Sequence, residues 1–368
     1  MPNPTIREVA RAAGVAPATA SLALRNHPRL RKSTCEKVQR VAQELGYKPN
    51  AVVSNLLAQL RVSRTPKYQA TLALINPSEN PNILAEIHTF REWVRGMRER
   101  ATQLGYGVNE FWLNEKGVPA RRLAGIFRAQ NIRGVIVAAS LGDGTLPTGF
   151  DEIQANFACV VLGTRSIRPA LHLACDDQFA TVRMACERAV ALGYRRPALV
   201  MCEDVDELVG GRFSGGFLSA QNSVAAKERV PPFYYRSRLN VPLTTKVGTS
   251  EMLRRFKQWY ERQRPDVILC IHPEVREWLA QLGATAPRDV GLIHLDRNEE
   301  FHGWAGMRQN NDLIGAAGVD ILVGQLHRNE LGVPSFPKCI MVESTWVDGN
   351  TVRRVNPAAP KRATRSRR

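Results

Sequence analysis

Thr5-Ile6-Arg7-Glu8-Val9-Ala10-Arg11-Ala12-Ala13-Gly14-Val15-Ala16-Pro17-Ala18-Thr19-Ala20-Ser21 decides how the N-terminal part of this 368-residue chain folds. Thr5 and Glu8 form a capping box, in which the hydroxyl and the carboxylate each satisfy a free N–H at a helix start. Ile6, Val9, Ala10 and Ala13 then repeat at helical spacing until Gly14 closes the helix. Pro17, whose fixed φ suits a first helical turn, opens a second helix that runs to about Leu24. A further capping signature, Ser33-Thr34-Cys35-Glu36, opens a third, with Val38, Val41, Ala42 and Leu45 on one face and Gly46 at its end. Three short helices with a tight Gly turn between the first two describe a helix-turn-helix, the unit that lays its second helix in the major groove of DNA. Pattern alone also fits a generic three-helix bundle.

Charge weighs for DNA. The formal net charge is +17, of which residues 1–65 supply +8 and residues 353–368 supply +7, leaving +2 for the nearly 290 residues between. Basic charge gathered at the two ends suits a protein that grips phosphates with one module. The seven cysteines show no Cys-x-x-Cys pair, so neither a zinc site nor a redox motif is indicated, and buried, reduced thiols are the expectation. The N-terminus has no apolar signal-peptide region, and no stretch approaches the ~18–20 apolar residues of a membrane span, so a cytoplasmic protein is expected.

From about Tyr68 the texture changes to short β-rich runs alternating with amphipathic helices. The strands are read at Ala70–Ile75, Val108–Leu113, Gly134–Ala138, Cys159–Leu162, Pro197–Cys202, Asp266–Ile271 and Val290–Leu295. The helices are read at Phe90–Leu104, Thr181–Leu192, Met252–Glu261 and Val275–Leu282. Such alternation implies parallel sheets covered on both faces, and so long a run implies two of them.

Thr5…Val9-Ala10…Ala13-Gly14-Val15…Ala18-Thr19-Ala20-Ser21, then Glu36-Lys37-Val38 and Glu44-Leu45-Gly46-Tyr47-Lys48-Pro49-Asn50, closely resemble the headpiece of the lactose and galactose repressor family of bacterial regulators. Further on, Asp176-Asp177, Leu192 to Ala198, Gly291 to Asp296 and Val347 to Thr351 look like the landmarks of that family's core. The resemblance implies a helix-turn-helix headpiece over 1–50, a hinge helix and linker over 51–66, and a core over 67–352 similar to periplasmic sugar-binding proteins. Two α/β subdomains would then be joined by crossovers near Gly163, Asp296 and Asp320, with a disordered basic tail over 353–368.

It also implies a function: a DNA-binding transcriptional regulator, a repressor, that binds a pseudo-palindromic operator as a homodimer and answers to a small sugar-like effector. The DNA contacts would come from Thr5, Pro17, Ala18, Thr19, Ser21, Leu22, Arg25, Asn50, Ser54 and Leu56, the last wedged into the minor groove. Two departures matter in the headpiece. Ala16 replaces a capping Ser, and Leu22 replaces an Arg that would read guanine, so contact with thymine methyls is the expected readout.

Cleft contacts are expected from Asn76, Phe90, Arg212, His272, Asp296 and Trp304. Asn76 and Asp296 lie after strands, where parallel-sheet ligands bind, and the two aromatics could stack on a sugar ring. Arg212 stands one residue further than usual from its Gly-aromatic pair, and His272-Pro273 replaces an Asn-Asp whose carboxylate grips sugar hydroxyls. These departures keep open a second reading, in which the core has lost its ligand and serves only to dimerise.

An enzyme is disfavoured, because no Ser/His/Asp order, Gly-x-Ser-x-Gly elbow, metal spacing or phosphate loop appears, and no cofactor or metal is called for. His88 and His272 read as structural rather than catalytic.

Overall fold

The computed structural model describes residues 4–24, 26–27, 30–47, 68–115, 119–138, 149–165, 168–236 and 250–355. Arg25, Asn50, Ser54, Leu56, the hinge over 51–66 and the tail from 356 onward lie outside the described residues.

Three helices make the headpiece: α1 (Ile6–Ala13), α2 (Pro17–Ala23) and α3 (Lys32–Glu44). The capping box at Thr5 and Glu8 is present, and Gly14 ends α1 at φ 69°, a left-handed turn that glycine adopts without strain. Val9, Ala10, Ala13, Ala20, Ala23, Cys35, Val38 and Ala42 form the core, which is small enough that six of its eight members are Ala or Cys. The capping signature expected at Ser33 is not used. α3 starts two residues earlier, with Arg31 as its N-cap and no side-chain cap bond, because the Arg31 carbonyl already takes the N–H groups of Thr34 and Cys35.

The rest of the chain builds two six-stranded sheets. Its strands and helices run β1 (Ala70–Asn76), α4 (Ile83–Glu86), α5 (His88–Gln103), β2 (Tyr106–Trp112), α6 (Ala120–Ala129), β3 (Gly134–Ala138), α7 (Asp151–Asn156), β4 (Ala158–Leu162) and β5 (His172–Asp176). They continue α8 (Gln178–Ala191), β6 (Pro197–Cys202), α9 (Glu203–Leu208), α10 (Arg212–Gln221), β7 (Phe233–Tyr235), α11 (Ser250–Gln263), β8 (Val267–Cys270), α12 (Val275–Gln281) and β9 (Gly291–His294). The last are β10 (Ala305–Arg308), α13 (Asn311–Arg328), β11 (Cys339–Val342) and β12 (Thr345–Val347). The sheet orders are β11-β5-β4-β3-β1-β2 and β12-β10-β9-β8-β6-β7.

Without their outermost strands, β11 and β12, both sheets follow the doubly wound 2-1-3-4-5 order, which binds ligands at the strand C-termini. All pairings are parallel except β10 with β12. In the first subdomain one apolar cluster joins α5 and α13 to one sheet face and a second joins α6 to the other; the second subdomain has a single cluster.

Sheet membership moves the crossovers. The chain leaves the first sheet after Asp176, returns between Arg308 and Asn311, and leaves again between Val342 and Thr345, rather than near Gly163, Asp296 and Asp320. Gly163 joins β4 to β5, a strand whose sequence HLACD lacks the Val/Ile run that marks its neighbours. Asp296 lies between β9 and β10 of one sheet, and Asp320 lies within α13. Residues 353–355, read from sequence as part of the tail, are held to the second subdomain. Arg353 N–H donates to the Tyr194 hydroxyl (3.0 Å), its guanidinium to the carbonyls of Pro287 (3.0 Å) and Arg288 (3.2 Å), and Val355 N–H to Leu192 (2.8 Å).

Candidate nucleic-acid interface and ligand cleft

α2 is the element a groove would receive. Ala20 and Ala23 hold it to the headpiece core, Pro17 and Ala18 are exposed, and Thr19, Ser21 and Leu22 are half-buried. Gln39 of α3 braces its end, donating to the Ala23 carbonyl (3.3 Å) and to Asn26 Oδ1 (2.6 Å). Around this helix Arg7, Arg11, Arg31, Lys32, Lys37 and Arg40 are exposed, cations suited to phosphate contact. Thr5 is tied to Glu8, whose Oε2 accepts from Thr5 N–H (2.5 Å) and hydroxyl (2.9 Å). The bond from the Thr5 backbone N–H, with its hydroxyl second, holds the Glu8 carboxyl below its usual value. Ala16 caps α2 without a side-chain bond.

A cavity of about 120 Å³ lies between the subdomains. The first subdomain contributes His88, Glu92, Asn311 and Asp312 to it, and the second contributes Asp296, Arg297, Asn298, Glu299 and Arg308, with Gln309 at the crossover. Two contacts span the gap beside it: Thr89 Oγ1 donates to Asp296 Oδ2 (3.2 Å), and Arg91 meets Glu300 (3.4 Å). Trp93 Nε1 donates to Asn311 Oδ1 (3.0 Å) and fixes that wall. α5 and α13 cross so closely that a Cβ on Gly96 would meet the Asp312 carbonyl at 1.9 Å, and one on Gly315 the Trp93 carbonyl at 2.0 Å.

Burial, against weaker opposing help from Thr89 and His88, pushes the Asp296 carboxyl up to about 6. Its Oδ1 and the Nε of Arg297 are both buried without a hydrogen-bond partner. A hydroxyl group, which donates and accepts, is a partner of the kind either atom can take.

Of the six residues expected in the cleft, Asp296 alone lines this cavity. Asn76 is buried and occupied by its own turn: its amide donates to the carbonyls of Asn80 (3.0 Å) and Pro81 (3.1 Å), and its Oδ1 accepts from Ser78 N–H (2.9 Å). Phe90 packs on Trp93 in the first core, with ring centroids 5.0 Å apart. Trp304 lies in the second core, edge-on to His294. His272 is buried and bonded through Nδ1 to the Tyr235 hydroxyl. Arg212 reaches across the subdomains to Met341 Sδ (2.8 Å).

His88, read from sequence as structural, lines the cavity instead. It does so with Glu92, Arg308, Gln309 and Asn311, which the sequence reading passed over. The signal was there in Arg308-Gln309-Asn310-Asn311, a polar run directly after an apolar one. Among the described residues no group of three His, Cys, Asp or Glu is placed to hold a metal ion, and no helix is long and apolar enough to cross a membrane.

A helix-turn-helix set before two doubly wound subdomains of the periplasmic-binding-protein type defines a DNA-binding transcriptional regulator. Residues 5–50 match the model of the bacterial regulatory proteins of the lacI family, a match that covers the headpiece. The HTH-type transcriptional regulator CelR of Thermobifida fusca is 28% identical over 220 residues, which span 57% of this chain and 60% of CelR. The lactose operon repressor of Escherichia coli (strain K12) is 24% identical over 374 residues, spanning 94% of this chain and 92% of the repressor.

Among solved structures, the CelR–cellobiose complex matches with a TM-score of 0.54 at 20% identity, over 95% of this chain and 99% of that one. The lac repressor dimer bound to operator and the anti-inducer ONPF matches with a TM-score of 0.54 at 20% identity, over 96% and 100%. At that identity the structural likeness speaks for the fold. The relatives named are regulators, not enzymes.

Proposed function

We propose that the protein is a cytoplasmic, homodimeric repressor that binds a pseudo-palindromic operator through Pro17–Leu22 of each headpiece and changes its grip when a small sugar-like effector occupies the cleft. The observation that carries the effector half is the pair of unpartnered buried atoms, Asp296 Oδ1 and Arg297 Nε, on the wall of a cavity between the subdomains. A buried polar group without a partner costs about 1–3 kcal/mol, a cost that a ligand hydroxyl on either atom would remove. The relatives support the class of ligand, since CelR is a complex with cellobiose and the lac repressor dimer holds operator and ONPF. Two-fold protein symmetry calls for two-fold DNA symmetry. Ligand pockets usually measure roughly 300–1,000 Å³, so the cleft opens about its crossovers to admit a sugar.

Calorimetry of the full-length protein against mono- and disaccharides and their nitrophenyl glycosides tests this reading. At least one should bind, Asp296→Ala should weaken it tenfold or more, and the bound sugar should shift operator affinity by the factor by which operator shifts sugar affinity. Silence across the panel favours the second reading, in which the core only dimerises. Its specific support is that Asn76, Phe90, His272 and Trp304 are all engaged within the protein.

A further inference from the structure

Cys175 and Cys339 are 164 positions apart, yet their sulfurs lie 3.8 Å from each other. The topology explains it. β11 is the outermost strand of the first sheet and pairs in parallel with β5, Cys339 opposite Leu173 and Met341 opposite Cys175. The two cysteines are therefore two places apart on adjacent strands and project from the same face. Cys175 is buried, while Cys339 on the open edge is partly exposed.

Charge around the pair is lopsided. The two sulfurs share a hydrogen bond in which either can donate, and the guanidinium groups of Arg212 on α10 and Arg165 in the β4–β5 loop face Cys339 as well. Against burial and the opposing charge of Asp177, these hold the Cys339 thiol down to about 6. Cys175 is pushed the other way, by its bond to Cys339 first and by burial second. Cys159, Cys186 and Cys270, by contrast, are buried with thiols raised by desolvation.

We propose that Cys175 and Cys339 form a peroxide-reactive pair, in which Cys339 is the attacking sulfur and Cys175 the resolving one. The Cys339 thiolate attacks one oxygen of hydrogen peroxide. The O–O bond breaks, Cys339 becomes a sulfenic acid, and the departing hydroxide takes up a proton as water. Cys175 then attacks the Cys339 sulfur and its thiol proton joins the displaced hydroxide, so two thiols and one peroxide yield one disulfide and two waters. Closing the bond asks the sulfurs to approach by about 1.8 Å, to the usual ~2.05 Å. The link encloses β6 to β10 of the second subdomain and fastens β11 to β5 just ahead of two crossovers, at Asp177 and Ser344. This site is separate from the cleft and does not rest on the effector reading.

The test treats the full-length protein with stoichiometric hydrogen peroxide, alkylates what remains, and maps the peptides by mass spectrometry. One intramolecular Cys175–Cys339 link, reversed by dithiothreitol, is expected. Cys175→Ala should leave Cys339 as a sulfenic acid trapped by dimedone, and Cys339→Ser should leave Cys175 unoxidised. Should either variant fold poorly, the native protein still decides. Alkylation of Cys339 should slow far less from pH 8 to pH 6 than that of an ordinary thiol near 8.5, which slows about eightyfold. A different cysteine pairing, a link between chains, or a pH dependence at Cys339 like that of an ordinary thiol overturns the proposal.

Discussion

The Asp176 carboxylate accepts a hydrogen bond from the Ser344 hydroxyl at 3.0 Å, across 168 residues of sequence. Asp176 ends β5 at the first crossover, and Ser344 is the middle of the third. Thr181, just beyond the first crossover, donates to the same carboxylate at 3.2 Å and meets the Ser344 hydroxyl at 2.7 Å. Asn310, in the second crossover, donates to the Glu343 carbonyl at 2.8 Å. The three connections between the subdomains are thus laced together into one hydrogen-bonded hinge region.

That hinge carries a pH signature. Burial pushes the Asp176 carboxyl up to about 7, with the charge of Asp296 acting in the same direction and the bonds from Ser344 and Thr181 resisting. An acid that holds its proton more tightly when folded favours the folded state fully below its ordinary value of 3.8, and that contribution is lost as pH rises through 7. Asp296 acts in the same sense over a narrower window, up to about 6. His294, held down to about 3 chiefly by burial, acts oppositely, since its contribution is lost as pH falls from its ordinary 6.5 toward 3. The difference between variant and wild type isolates Asp176. Asp176→Asn should gain about 1–3 kcal/mol on wild type between pH 5 and pH 8, read from urea unfolding at both; a difference that does not move with pH contradicts this.

The close crossing of α5 and α13 makes a paired prediction. Gly96→Ala drives a methyl group into the Asp312 carbonyl, a backbone atom that cannot swing away, and should destabilise by about 1–3 kcal/mol or more. Gly125→Ala, within α6 and with nothing inside 4 Å of the new Cβ, should stabilise by about 0.5–1 kcal/mol. Thermal unfolding of the two variants should move in opposite directions.

The missing cap on α2 is repairable. Ala16→Ser supplies an oxygen for the free N–H of Ala18 or Thr19, and should strengthen the helix by about 0.5–2 kcal/mol. Amide exchange at Ala20–Leu24 should slow several-fold while exchange in β1 stays unchanged.

The headpiece was legible because its signals are local. The capping box, the Gly14 turn and the 3.6-residue spacing each involve residues close in sequence, and all three stand in the structure. The sheets were legible where strands are runs of Val, Ile and Leu, as in Gly134–Ala138. They were missed where short strands carry His, Cys or Met, as in His172–Asp176 and Cys339–Val342. The cleft was harder still. Asn76 and Trp304 sit in the right region of the chain, but whether a side chain faces a ligand or its own turn depends on long-range packing. Thr89 with Asp296, Cys175 with Cys339 and Asp176 with Ser344 are pairs more than 160 residues apart, and no spacing rule reaches that far.

The most direct measurement is selection of binding sites from random duplex DNA by the full-length protein, run beside Leu22→Arg. Leu22 is half-buried on α2, at the position where the family resemblance puts an arginine that would read guanine. A pseudo-palindromic site is expected, with Leu22→Arg shifting preference to guanine at one position in each half-site and weakening the original site by about 1–3 kcal/mol. A site without two-fold symmetry, no enriched sequence at all, or a preference that Leu22→Arg leaves untouched would contradict that expectation.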